Sequence, residues 1–148
     1  MIKTLKGITI YSLSILYIVV GVKHFTHLDF FLLIVPPYLP YSELLVYTSG
    51  FFEILFGVLL IPTKTRKYAA LGLILLLIAV FPANIYLFNS EIAQNSYGIS
   101  RQFALIRLPF QIPLIIIAYW HSKENTSKKF DLIAIILFIP TIIYFLTI

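Results

Sequence analysis

Five long apolar runs, separated by short clusters of charged residues and prolines, organise this chain. They cover about residues 5–21, 44–61, 68–88, 103–120 and 130–148. Each approaches or reaches the length of about 17–25 residues that a helix needs to cross a bilayer. Strands of a membrane barrel would alternate apolar and polar residues. Leu73-Ile74-Leu75-Leu76-Leu77-Ile78 does not alternate, so the runs are expected to be helices. The first run follows Lys3 and Lys6, as in a secretory signal, but Val20-Gly21-Val22-Lys23-His24-Phe25 offers no small-x-small cleavage site. It is expected to be retained.

Composition agrees with the pattern. Of the 148 residues, 60% are hydrophobic and 11% charged, whereas soluble domains carry about a quarter of their residues as charges. This length allows one compact domain, residues 1–148. The net charge of +5 is scattered between apolar runs and is not gathered into a nucleic-acid-binding patch. With no cysteine, disulfides, thiolate metal sites and thiol relays are excluded.

The basic residues orient the chain. With the N-terminus in the cytoplasm, eight basic residues fall inside (Lys3, Lys6, Lys64, Arg66, Lys67, Lys123, Lys128, Lys129) and three outside (Lys23, Arg101, Arg107). That asymmetry obeys the positive-inside rule and places the C-terminus outside. The inner connections, 62–67 and 121–129, are short, so the helices they join should be antiparallel neighbours. The outer connection 23–43 contains Val35-Pro36-Pro37-Tyr38-Leu39-Pro40-Tyr41. Its prolines exclude an ordinary helix interior, and it reads as an interfacial loop, with Tyr38, Tyr41, Tyr47 and Tyr97 forming an aromatic belt.

Polar groups at membrane depth are the candidates for chemistry, because a central charge costs at least ~2.5–3.5 kcal/mol on insertion scales. Glu53 lies ten residues beyond Glu43, about 15 Å of helical rise. Gly50 and Gly57 share its face at i−3 and i+4, where they let another helix approach. Arg107 and Gln111 are i, i+4 neighbours. Asn84 follows Pro82, and Ser14, Tyr17, Gly21 and His24 form one stripe. Convergence of His24, Glu53, Asn84, Arg107 and Gln111 on one pocket in the outer half of the bilayer is the economical reading. Plainer readings stand beside it. Glu53 and Arg107 would serve as a structural ion pair, and Asn84 would satisfy the backbone opened by Pro82. His24 and His27 have metal-ligand spacing, but 25–29 is expected to leave the membrane, so no metal site is expected there. The last run has no Asp, Glu, Lys, Arg or His after Asp131 and is expected to pack outside the polar core.

Several runs together resemble the DoxX family of small bacterial membrane proteins. They are His24-Phe25 with Asp29-Phe30-Phe31, Ile34-Val35-Pro36-Pro37-Tyr38-Leu39-Pro40, Ser49-Gly50-Phe51-Phe52-Glu53-Ile54-Leu55-Phe56-Gly57, Phe81-Pro82-Ala83-Asn84-Ile85-Tyr86 and Arg107-Leu108-Pro109-Phe110-Gln111. The resemblance covers about residues 8–120. It implies an all-α membrane protein with a four-helix transmembrane core and, here, an additional fifth transmembrane helix at about 130–148. It also implies a location in the cell membrane, the inner membrane of a bacterium. Some DoxX-like proteins are associated with quinone-linked oxidoreductases, and an animal relative is an assembly chaperone for ligand-gated channels.

Two functions follow as expectations. One is a site for a lipophilic molecule such as a quinone or lipid, in an oxidoreductase system or as a cofactor-free lipid isomerase. The five polar residues would bind the ligand, and electrons would come from a partner or bound cofactor. The other is a non-catalytic assembly factor that binds a membrane-protein partner or a second copy of itself. The charge asymmetry makes topology testable: reporters fused after Ile61, Phe88, Trp120 and Ile148 should read inside, outside, inside and outside. A cytoplasmic signal at Ile148 would make the last segment re-entrant or interfacial.

Overall fold

A computed structural model describes residues 2–146. Its elements are α1 (Ile2–Thr26), α2 (Leu28–Leu32), α3 (Ser42–Leu59), α4 (Thr63–Asn89), α5 (Glu91–Tyr97), α6 (Arg101–Ser122) and α7 (Lys128–Leu146). No strand occurs among the described residues. Four segments are long and apolar enough to cross a membrane: Lys3–Thr26, Ser42–Leu60, Thr63–Asn89 and Arg101–Ser122. Leu75, Ile78 and Ile112 stand among many large apolar side chains on the outer faces, each more than half exposed. Such a surface is suited to lipid. The α7 helix begins with Lys128, Lys129 and Asp131, which shortens its uncharged stretch. The last two residues of the expected 130–148 segment lie outside the described ones.

Around the bundle the packing order is α1, α3, α4, α6, α7 and back to α1. The α1 and α3 helices pack closely at three glycines. A Cβ on Gly21 would lie 2.7 Å from the Gly50 carbonyl, one on Gly50 would lie 2.5 Å from His24 Cβ, and one on Gly57 would lie 2.9 Å from Ile18. Ser14 Oγ fastens this seam by donating to the Gly57 carbonyl at 2.6 Å. Only backbones without side chains at these positions approach so closely.

At one end, which holds Lys6 and the start of α7, polar side chains tie the helices. Lys6 Nζ donates to the Lys123 carbonyl at 2.6 Å, and Thr9 Oγ1 meets His121 Nε2 at 3.0 Å. Asp131 accepts from Trp120 Nε1 at 2.7 Å and from Thr126 Oγ1. The α3–α4 hairpin is capped there by Arg66, which donates to the carbonyls of Leu60 (3.0 Å) and Ile61 (2.6 Å).

Both connections at the opposite end are folded. The α1 helix continues past Gly21, so Lys23 and His24 are helical and the break falls at His27. The 23–43 connection turns inward, with Phe31, Ile34 and Pro36 buried, while Tyr38 and Tyr41 remain exposed. In the second connection, Gln94 Nε2 donates to the carbonyls of Leu87 (3.0 Å) and Phe88 (2.8 Å) and caps α4.

The seam predicts a contrast between two glycines. Gly50→Ala should lower stability by about 1–3 kcal/mol through overpacking. Gly7→Ala, with nothing within 4 Å of its added Cβ, should be neutral or stabilising, because alanine favours helix. Unfolding in detergent measures both, and equal responses would show that the α1–α3 seam has slack.

Candidate functional site

A cavity of about 480 Å³ lies between α1, α3, α4 and α6, towards the end where α2 and the proline-rich loop fold over. That volume is in the range of small-ligand sites, about 300–1,000 Å³. Its lining includes His24, Glu53, Asn84, Arg107 and Gln111, so all five residues singled out by depth border one space. The α1 stripe supplies Tyr17 as well as His24, and both are buried.

His24 is held on two sides. Its Nδ1 lies 2.9 Å from the Val20 carbonyl and donates to it, while its ring stacks on Phe31 with centroids 3.7 Å apart. Glu53 Oε2 approaches the same Nδ1 to 3.2 Å, within ion-pair range, yet has no hydrogen-bond donor. Among the described residues Glu53 therefore lies beside His24, and no direct Glu53–Arg107 ion pair forms. The expected structural pair is therefore not a direct contact; the two residues instead border the same cavity.

Half-buried Arg107 has its guanidinium carbon 5.8 Å from the ring centroids of both Tyr97 and Phe145. Such aromatic faces attract a cation. Its Nε has no partner. One turn on, Gln111 Nε2 donates to the Leu77 carbonyl at 2.6 Å, which leaves its buried Oε1 unpaired. Asn84 is buried at the cavity wall and makes no side-chain hydrogen bond with another described residue. Unsatisfied buried polar atoms cost about 1–3 kcal/mol each. Glu53 Oε2, Arg107 Nε and Gln111 Oε1 thus form a group that an occupant of the cavity would stabilise.

Several neighbours depart from the expected arrangement. Tyr97, read as part of an interfacial belt, lines the cavity beside Arg107. The proline-rich loop contributes Ile34, Val35, Pro36 and Leu39 to the wall. The α7 helix is not outside the polar core: Phe145 lines the cavity, and Tyr144 donates to the Phe103 carbonyl at 2.8 Å. Asp131, Ala134, Phe138, Thr141 and Tyr144 form its buried face, a helical stripe visible in spacing but made of residues too ordinary to signal a site.

The chain belongs to the family described as Domain of unknown function (DUF8561), whose model matches residues 13–122. All five depth-selected residues fall inside that stretch, and α7 falls beyond it. No curated protein and no solved structure matches the chain.

The unbridged separation of Glu53 and Arg107 can be measured. Glu53→Gln and Arg107→Gln should each destabilise the bundle, and the double variant should cost about 1 kcal/mol less than their sum, since charges in contact with one apolar space couple. The coupling should persist in high salt, because mobile ions do not screen a buried pair well. Strict additivity in unfolding measurements would show that the two charges do not sense each other.

Proposed function

We propose that this chain is a DoxX-like, multi-pass protein of the cell membrane whose cavity binds a lipophilic small molecule such as a quinone or a lipid. In this reading α7 is a fifth transmembrane helix, the N-terminus is cytoplasmic and the C-terminus outside, so the cavity sits in the outer half of the bilayer. The observation that carries the reading is the group of His24, Glu53, Asn84, Arg107 and Gln111 within a mostly apolar lining. An apolar space with few, convergent polar groups suits a hydrophobic ligand with a polar head. Arg107 and Asn84 are placed to donate hydrogen bonds to that head, and Glu53 and His24 are the groups able to exchange a proton with it. Any redox role requires electrons from a partner protein or bound cofactor.

A second reading, a non-catalytic assembly factor, is favoured by the exposure of Tyr38 (71%) and Tyr41 (78%) on the proline-rich loop. Aromatic side chains on a stiff exposed loop are suited to a protein partner. Mild extraction followed by mass spectrometry separates the two. The first reading expects a lipophilic molecule near one per chain, with occupancy reduced by Asn84→Leu and Gln111→Leu at a smaller loss of stability than Arg107→Leu causes. A co-purifying protein with no small molecule would overturn it in favour of the second.

A further inference from the structure

The unpaired atoms of the cavity differ in kind, and that difference selects among ligands. Gln111 is pinned by its 2.6 Å donation to the Leu77 carbonyl. A flipped amide would set two oxygens at that distance, so Oε1 is the free acceptor. Glu53 Oε2 also lacks a partner, since the neighbouring His24 Nδ1 is committed to Val20; as the carboxylate that balances Arg107, it is a second acceptor. Arg107 Nε–H is an unpaired donor. These three unpaired atoms call for two donors and one acceptor from an occupant, while the Asn84 amide, which both donates and accepts, sets no further preference.

Charge and shape narrow the choice. Glu53 and Arg107 cancel formally, and Lys23, the other charge at the lining, is exposed. An uncharged head leaves this balance intact, whereas a carboxylate or phosphate would place a second anion beside Glu53. Apolar residues make up most of the rest of the lining, among them Leu16, Leu76, Leu114, Phe31, Ile34 and Pro36.

Resting on the ligand-pocket reading above, we propose that the cavity takes an uncharged amphiphile whose head carries at least two hydroxyl groups, as in a monoacylglycerol. The hydroxyls donate to Gln111 Oε1 and Glu53 Oε2, and a head-group oxygen accepts from Arg107 Nε–H. An acceptor-only head, such as an oxidised quinone or a simple ester, accepts from Arg107 and Asn84 but sets its oxygens against the unpaired acceptors of Gln111 and Glu53. A hydroquinone shares the hydroxyl chemistry and is the other source of such a head.

The test uses the full chain in nanodiscs, with binding followed by native mass spectrometry. The probes are 1-monooleoylglycerol against methyl oleate, which keeps the chain but loses the hydroxyls, and decyl hydroquinone against decyl quinone. The hydroxylated member of each pair should bind at least about tenfold more tightly, which corresponds to about 1.4 kcal/mol. Gln111→Leu should narrow the gap by weakening the hydroxylated member. A preference confined to one pair also supports the proposal and names the source, acylglycerol or reduced quinone. Equal or reversed affinities within both pairs, with binding still sensitive to Asn84→Leu, would overturn the hydroxyl assignment and leave the pocket reading standing. No binding by any of the four probes would overturn both.

Discussion

The α1–α3 seam is the constraint on which the rest of the bundle depends. Gly21, Gly50 and Gly57 let two backbones approach until an added Cβ would collide. Glu53 lies between the two glycines of α3 and so faces α1 at short range. The same proximity brings His24 beside it at 3.2 Å. A wider helix separation would leave both groups facing hydrocarbon without a neighbour, where a charged or polar side chain is most costly.

From that seam the cavity is closed in steps. The α4 and α6 helices bring Asn84, Arg107 and Gln111 to the other side of the space. The α7 helix fits between α6 and α1 and delivers Phe145 to the Arg107 guanidinium. Phe31 then covers His24 from the loop side. The unpaired atoms of Glu53, Arg107 and Gln111 are left facing a mostly apolar space. A register-setting ion pair would have consumed its own hydrogen-bonding capacity, and these groups have not.

Much of this was legible in the residues because depth and helical spacing are both linear in sequence. Glu53 with Gly50 and Gly57 could be placed on one interior face, as could Arg107 with Gln111. What spacing could not reveal was contact across chain reversals. The first apolar run ended at about residue 21, yet α1 continues to Thr26 and brings His24 beside Glu53. The prolines of residues 36–40 excluded a helix but gave no direction, and the loop turned inward on Phe31, Ile34 and Pro36. Phe145 had no distinguishing neighbour at all. Its place follows from α7 packing against α6, which depends on shape and not on a pattern within either helix.

The ties at the Lys6 end bear on how the chain is assembled. Thr9 and His121 are 112 positions apart, and Lys6 and the Lys123 carbonyl are 117 apart. Ser14 reaches its acceptor only 43 positions downstream. As the polypeptide emerges, α1 can zip onto α3 after one hairpin, but Lys6 and Thr9 meet these hydrogen-bond partners only once the end of α6 is synthesised. The polar ties at its near end are therefore made late. The final closure of the bundle is a long-range event whose entropic cost is set by nearly the whole length of the chain.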